Sequence, residues 1–220
     1  MDDSLKEIAQ FEKKFNLPDN FYLNLLKEQD WGFVIKLHSL FEGASTHVLN
    51  LRLGDGKIES ALSYLDFGHT KYGKVKLLSK LSLINSQQSS FLRLLAELRN
   101  ELVHRIENVT FSFQEYLKIV DENKRKSFCE RVGYNCNDPI PIAGKKVPRN
   151  KFILENPKLS IWLTASDVLA SLRVEEEFVK LEEEKRKFEL EKLEFSKKIA
   201  DMNDLIVQVL VDKKMPNKEN

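Results

Sequence analysis

The stretch that decides the fold is FLRLLAELRNELVHRI, residues 91–106. Apolar side chains recur in it at spacings of three and four residues, at Phe91, Leu95, Leu98 and Leu102. At about 100° per residue, this spacing puts them on one face of a helix, which predicts an amphipathic α-helix packed against a core. The polar residues Arg99, Asn100 and His104 then fall on the arc away from that face.

The polar arc has two interpretations. Asn100 and His104 are one turn apart and share a face, whereas Arg99 and His104 lie about 140° apart around the helix. The long Arg99 side chain can still reach the same groove. In one interpretation these are solvated residues near a helix C-terminus, where cations suit the helix dipole. In the other they form a site for chemistry.

A family resemblance favours the second interpretation. Residues 99–104, RNELVH, resemble the Arg-x4-His signature of the HEPN superfamily (higher eukaryotes and prokaryotes nucleotide-binding). Residues 37–42, LHSLFE, and residues 73–78, GKVKLL, resemble the mannitol-operon-repressor-like branch of that superfamily. The resemblance covers residues 31–120.

The resemblance implies a helical bundle that dimerises with the motif helices of two subunits facing one another. His104 is then the general base or acid at an RNA 2′-hydroxyl, and Arg99 stabilises the phosphorane-like transition state. Asn100 orients the phosphate or the imidazole, and the acidic Glu42 of the long helix predicted from Trp31 to Arg52 supports the site. The product is a cyclic phosphate, and neither a metal nor a cofactor is required.

Two classes of function therefore remain open. The first is a metal-independent endoribonuclease, with a role as a toxin or defence effector and a protein antitoxin or regulator as partner. The second is a non-catalytic helical regulator or interaction module, as in the mannitol-operon-repressor-like branch. In the second class, Arg99 and Asn100 serve hydrogen bonds within the bundle.

A heptad pattern runs along the C-terminal part of the chain, which has neither Gly nor Pro from residue 159 to residue 214. One apolar position recurs every seven residues, at Val174, Leu181, Phe188, Phe195, Met202 and Val209. Lys185 and Lys192 interrupt the second apolar position, which Phe178, Ile199 and Ile206 fill. This pattern predicts a long coiled-coil helix and a homodimer or higher oligomer. The alternative is a long helix that packs on its own domain.

Between the bundle and this helix, residues 135–157 form a Pro-rich stretch that we predict to be a loop. Its cations are Lys145, Lys146, Arg149 and Lys151, with no acidic residue among them. Such a loop can contact RNA phosphates, or it can be a solvated connector.

Composition sets the remaining limits. The 220 residues carry 35 Lys and Arg against 34 Asp and Glu, so net charge gives no global argument for nucleic acid binding. Cys129 and Cys136 suit free thiols better than a disulfide framework or a zinc site. No apolar run is long enough to span a bilayer and no signal peptide is recognised, so we expect a soluble cytoplasmic protein without a membrane partner.

The sequence thus predicts an all-α fold, a HEPN-like up-and-down helical bundle followed by a long coiled-coil helix. The predicted divisions are a bundle at 1–134, a basic loop at 135–157, a long helix at 158–214 and a disordered tail at 215–220.

Overall fold

The computed structural model describes residues 2–54, 58–104, 106–142 and 144–214. These residues form ten α-helices and one antiparallel two-stranded sheet. The helices are α1 (Asp2–Lys14), α2 (Phe21–Asn24), α3 (Asp30–Leu53), α4 (Glu59–Ser63), α5 (Lys74–Lys80), α6 (Ser86–Val103), α7 (Phe113–Ile119), α8 (Glu122–Arg131), α9 (Arg149–Glu155) and α10 (Pro157–Lys214). The strands are β1 (Ile140–Ile142) and β2 (Lys145–Val147). The prediction of an all-α fold is confirmed, and the expected tail at 215–220 lies outside the described residues.

The core is built around α3, which packs against α4, α5 and α6. Phe41 on α3 and Phe91 on α6 meet edge to face, with ring centroids 6.1 Å apart. Leu37 and Leu95 are buried beside them. Burial of such side chains contributes about 1.5–3 kcal/mol each, so this contact fixes α6, and the motif on it, to the centre of the bundle.

The chain divides into two compact units, Met1–Glu177 and Phe178–Asn220. The first unit includes the beginning of α10, where Trp162 and Leu169 are buried. The Trp162 indole stacks on Tyr22 and donates a hydrogen bond to the Tyr22 carbonyl oxygen at 2.9 Å. The first unit therefore continues past the predicted boundaries at 134 and 157, because this part of α10 completes its core.

The stretch predicted as an irregular loop, residues 135–157, contains regular structure. Strands β1 and β2 pair with Ile140 opposite Val147, and Gly144 has a φ of +78° at the turn, a conformation that glycine adopts without strain. Helix α9 follows and buries Ile153. The prediction missed these elements because proline and charge mask the short apolar pattern.

Candidate functional site

Helix α6 begins with a capping box. The Asn85 side chain accepts a hydrogen bond from the Gln88 backbone N–H, and the Gln88 side chain accepts one from the Asn85 N–H. These bonds satisfy two donors that a helix N-terminus otherwise leaves unpaired. The predicted apolar stripe, Phe91, Leu95, Leu98 and Leu102, is buried. The face of α6 that carries the motif is thereby determined.

The motif residues lie on the accessible side of the last turn of α6. Arg99 is half-buried, and Asn100 and His104 are exposed. The Arg99 Nη1 donates a hydrogen bond to the Asn100 Oδ1 at 3.0 Å. His104 is the residue that caps the C-terminus of the helix. The structure thus leaves Asn100 and His104 open to solvent and ties Arg99 to its neighbour in the sequence.

A close approach brings the loop before α5 against this helix. A Cβ added at Gly68 would lie 2.4 Å from the Ala96 Cβ, which only glycine avoids. A Cβ at Gly73 would lie 2.6 Å from the His69 backbone nitrogen. The loop leads into Lys74, the first residue of α5, and so places this side chain in the interior of the bundle.

Lys74 forms a cluster with Glu42 and His38 of α3, in which Lys74 and His38 are buried and Glu42 is half-buried. The Lys74 Nζ lies 2.9 Å from the Glu42 Oε1, and the His38 Nδ1 lies 4.0 Å from the Glu42 Oε2. The His38 ring meets Phe67 edge to face at 4.8 Å. Glu42, predicted to support the site, therefore joins α3 to α5. We name His38, Glu42 and Lys74 the ionic cluster.

Burial lowers the pKa of His38 from 6.5 to about 4. The negative charge of Glu42 opposes this fall in pKa, and the positive charge of Arg99 adds to it. The negative charge of Asp66 also raises the pKa of His38, and the positive charge of Lys74 also lowers it. His38 is consequently neutral near pH 7. The effect of Arg99 also shows that the motif and the ionic cluster lie within electrostatic range of each other.

No function is predicted for His38 or Lys74 from the sequence. The structure buries both side chains. The one available signal was the four-residue spacing of His38 and Glu42, which puts both on one side of α3. Nothing local marks Lys74 as buried, because its partner lies 32 residues earlier in the chain.

The four predicted RNA-binding cations do not have the same environment. Lys145 and Lys146 are exposed on β2, and Lys151 is exposed on α9 with its Nζ 3.9 Å from the Glu155 Oε1. Arg149 is half-buried, and its backbone N–H donates to Asp138 Oδ1 at 3.1 Å. The three lysines can therefore contact a ligand without rearrangement.

Arg149 lies instead near the two cysteines, both of which are free thiols. Burial raises the pKa of Cys129 and of Cys136, and the charge of Arg149 partly opposes both increases. The thiols consequently stay protonated at neutral pH, which makes them weak nucleophiles and poor metal ligands. No group of three or more His, Cys, Asp or Glu side chains in the described part of the chain is arranged to hold a metal ion.

Among the described residues, no helix combines the length and the apolar character needed to cross a membrane. Comparisons of the chain with protein-family models, with curated proteins and with solved structures found no match. The groups available for a functional proposal are therefore the exposed motif on α6, the ionic cluster beside it and the lysines of β2 and α9.

Proposed function

We propose that the protein is a metal-independent endoribonuclease of HEPN type, whose site is composed of two motif helices across a two-fold axis. One observation carries the proposal. His104 and Asn100 are exposed on the last turn of a helix whose opposite face is core, and Arg99 beside them is half-buried. This exposure leaves Asn100 and His104 accessible to an RNA ligand.

The chemistry needs two proton transfers and one centre of positive charge. His104 of one copy removes the proton of an RNA 2′-hydroxyl, and the 2′-oxygen forms a bond to the adjacent phosphorus. The bond from phosphorus to the 5′-oxygen breaks, and His104 of the second copy protonates that leaving oxygen. Arg99 stabilises the negative charge on the phosphorane-like transition state, with Asn100 holding the phosphate or the imidazole. The products are a 2′,3′-cyclic phosphate and a free 5′-hydroxyl.

The ionic cluster supports this site without taking part in the reaction. Helices α3 and α5 are joined by the ion pair between the Glu42 Oε1 and the Lys74 Nζ, which are 2.9 Å apart. The positive charges of Lys74 and Arg99 both lower the pKa of His38. Glu42 is therefore a positioning residue in this proposal. Lys145, Lys146 and Lys151 supply phosphate contacts that add affinity but no specificity.

The second candidate is a non-catalytic helical regulator or protein-interaction module. The apolar heptad positions of α10 favour it, because Phe188 and Phe195 are largely exposed in a single chain. Exposed aromatic side chains at heptad spacing are typical of surfaces that bind another helix. In this candidate the motif has no reaction to perform.

Cleavage of varied single-stranded RNAs by the wild-type protein and by His104→Ala, with chelator present, separates the two candidates. Loss of the imidazole should lower the rate by about 10²–10⁴-fold. The free energy of unfolding should change by less than about 0.5 kcal/mol, because His104 is exposed.

The matched control is Asn123→Ala, an exposed helical substitution outside the motif, which should alter neither quantity. No cleavage by the wild-type protein, together with a clear loss of stability in His104→Ala, would reject the endoribonuclease and leave the interaction module.

A further inference from the structure

The second compact unit presents an apolar seam along its helix. We define the seam by its heptad positions, Phe178, Leu181, Lys185, Phe188, Lys192, Phe195, Ile199, Met202, Ile206 and Val209. The apolar members are between 40% and 67% exposed in a single chain. A stripe of this size marks an interaction surface, and its period of seven residues fits a second helix with the same repeat.

We propose that the seam binds the seam of a second copy of the chain, with the two helices antiparallel and the two-fold axis between residues 193 and 194. The proposal goes beyond the proposed function, because it adds a contact between copies through α10 and gives that contact an orientation and a register. The charges along the seam and on its flanks decide both.

A parallel pairing in register puts like charges together. Each seam residue then faces its own copy, so Lys185 meets Lys185 and Lys192 meets Lys192. The flanking positions that precede and follow the seam residues also interact between helices. In the parallel arrangement Glu184 of one helix faces Glu189 of the other, which brings two negative charges together. Both kinds of contact oppose association.

The antiparallel pairing about this axis removes these contacts. Lys185 faces Met202 and Lys192 faces Phe195, so the lysine stems lie along apolar side chains while the ammonium groups reach water. The remaining layers are apolar on both sides, Phe178 with Val209, Leu181 with Ile206, and Phe188 with Ile199.

The flanks select the register as well as the direction. With the axis between residues 193 and 194, Glu191 of each helix faces Lys198 of the other. Between residues 182 and 205 every other flanking pair contains an uncharged residue, Glu184 with Leu205, Glu182 with Asn203 and Glu189 with Ser196. Sliding one helix by a heptad in one direction brings Glu191 opposite its own copy. Sliding it the other way brings Lys198 opposite its own copy. Only the central register pairs opposite charges alone.

The two orientations place the start of the second unit differently. In the antiparallel pair, the Phe178 residues of the two copies are about 47 Å apart, given a rise of about 1.5 Å per residue. In a parallel pair they are about 10 Å apart. The distance between the two copies of Phe178 therefore distinguishes the two orientations.

Distances between spin labels at identical positions test the orientation. A ketone-bearing noncanonical amino acid at Glu194 or at Gln208, both exposed and outside the seam, leaves the native thiols untouched. In the full-length dimer we expect a distance below about 25 Å for labels at 194 and about 45 Å for labels at 208. Short distances at both positions, or a protein that remains monomeric, would overturn the proposal.

A charge exchange tests the register. Glu191→Lys and Lys198→Glu should each weaken dimerisation by about fivefold, since each puts like charges together in two symmetric contacts. The double variant should return to within about twofold of the wild type. Within one helix these residues are too far apart to pair, so recovery requires the antiparallel contact, and additive losses would contradict it.

Glu194→Lys is the matched control and should leave the dimer constant unchanged. RNA cleavage measured on the same variants is a separate readout. A parallel seam in a protein that cleaves RNA overturns this proposal alone, whereas an antiparallel seam in a protein without cleavage activity overturns the endoribonuclease alone.

Discussion

The ionic cluster and the motif on α6 use the same kinds of side chain, but solvent reaches them to different degrees. The side chains of His38 and Lys74 are 8% and 3% exposed, whereas Asn100 and His104 are open to water. Charges withdrawn from water must be paired and are costly to disturb. Exposed polar side chains can change partners freely. Because of this difference in exposure, we expect the ionic cluster to stabilise the fold and the motif to remain available for a ligand.

The largest expected effect comes from acidification of the ionic cluster. Because the pKa of His38 is about 4 in the folded protein against 6.5 in the unfolded chain, the unfolded chain binds the proton first. The stability is therefore present above pH 6.5 and is lost as the pH falls towards 4. The contribution is on the order of 3 kcal/mol.

Chemical denaturation of the wild-type protein and of His38→Phe between pH 7 and pH 4 measures this loss. The variant keeps a ring beside Phe67 but carries no titrating group. Its free energy of unfolding should depend less steeply on pH than that of the wild type. Equal slopes would show that His38 does not titrate as its burial predicts.

A smaller effect is expected from Lys74→Met. The substitution keeps the apolar stem but removes the partner that lies 2.9 Å from the Glu42 Oε1. Glu42 is partly exposed and regains some hydration, so we expect a loss of about 2 kcal/mol. Lys80→Met, an exposed change on the same helix, is the control and should change the unfolding free energy little. Equal changes in unfolding free energy for the two substitutions would show that the buried Lys74 contributes no more to stability than the exposed Lys80.

The smallest effect on stability is expected from the exposed lysines of β2 and α9. Changing Lys145, Lys146 and Lys151 to Ala should change the unfolding free energy by less than about 0.5 kcal/mol. RNA binding should weaken, and the slope of log affinity against log salt should fall by about 2, at roughly 0.7 for each lost contact with a single strand.

The control for the lysine triple variant replaces three exposed lysines elsewhere, Lys80, Lys124 and Lys126. An unchanged salt slope in the test variant, or an equal change in the control, would identify the lysines of β2 and α9 as part of a solvated connector.

The sequence was sufficient to predict what depends on local spacing. The apolar stripe of α6 and the polar arc with His104 both follow from a period of 3.6 residues. The link from Lys74 to Glu42 depends on how two distant segments meet, and no local pattern contains that information. The sequence therefore singled out only Glu42 among the three residues of the ionic cluster.

Helix α10 shows the same limit on a larger scale. Val168 and Leu172 are buried in the first unit, whereas Phe188 and Phe195 further along the helix are largely exposed. Both pairs of side chains recur at helical spacing, which predicts an apolar face but not its partner. Tertiary contacts decide that outcome, and they also place the unit boundary at Glu177.

The central claim is that the exposed motif cleaves RNA through its 2′-hydroxyl. The most direct measurement is mass spectrometry of the ends produced by the wild-type protein, with chelator present, on one RNA and on the same RNA with a single 2′-deoxynucleotide at the cleaved position. We predict 2′,3′-cyclic phosphate and 5′-hydroxyl ends from the first and no cleavage at the modified position of the second. Products with a 3′-hydroxyl and a 5′-phosphate, or cleavage that persists at the 2′-deoxynucleotide, would contradict it.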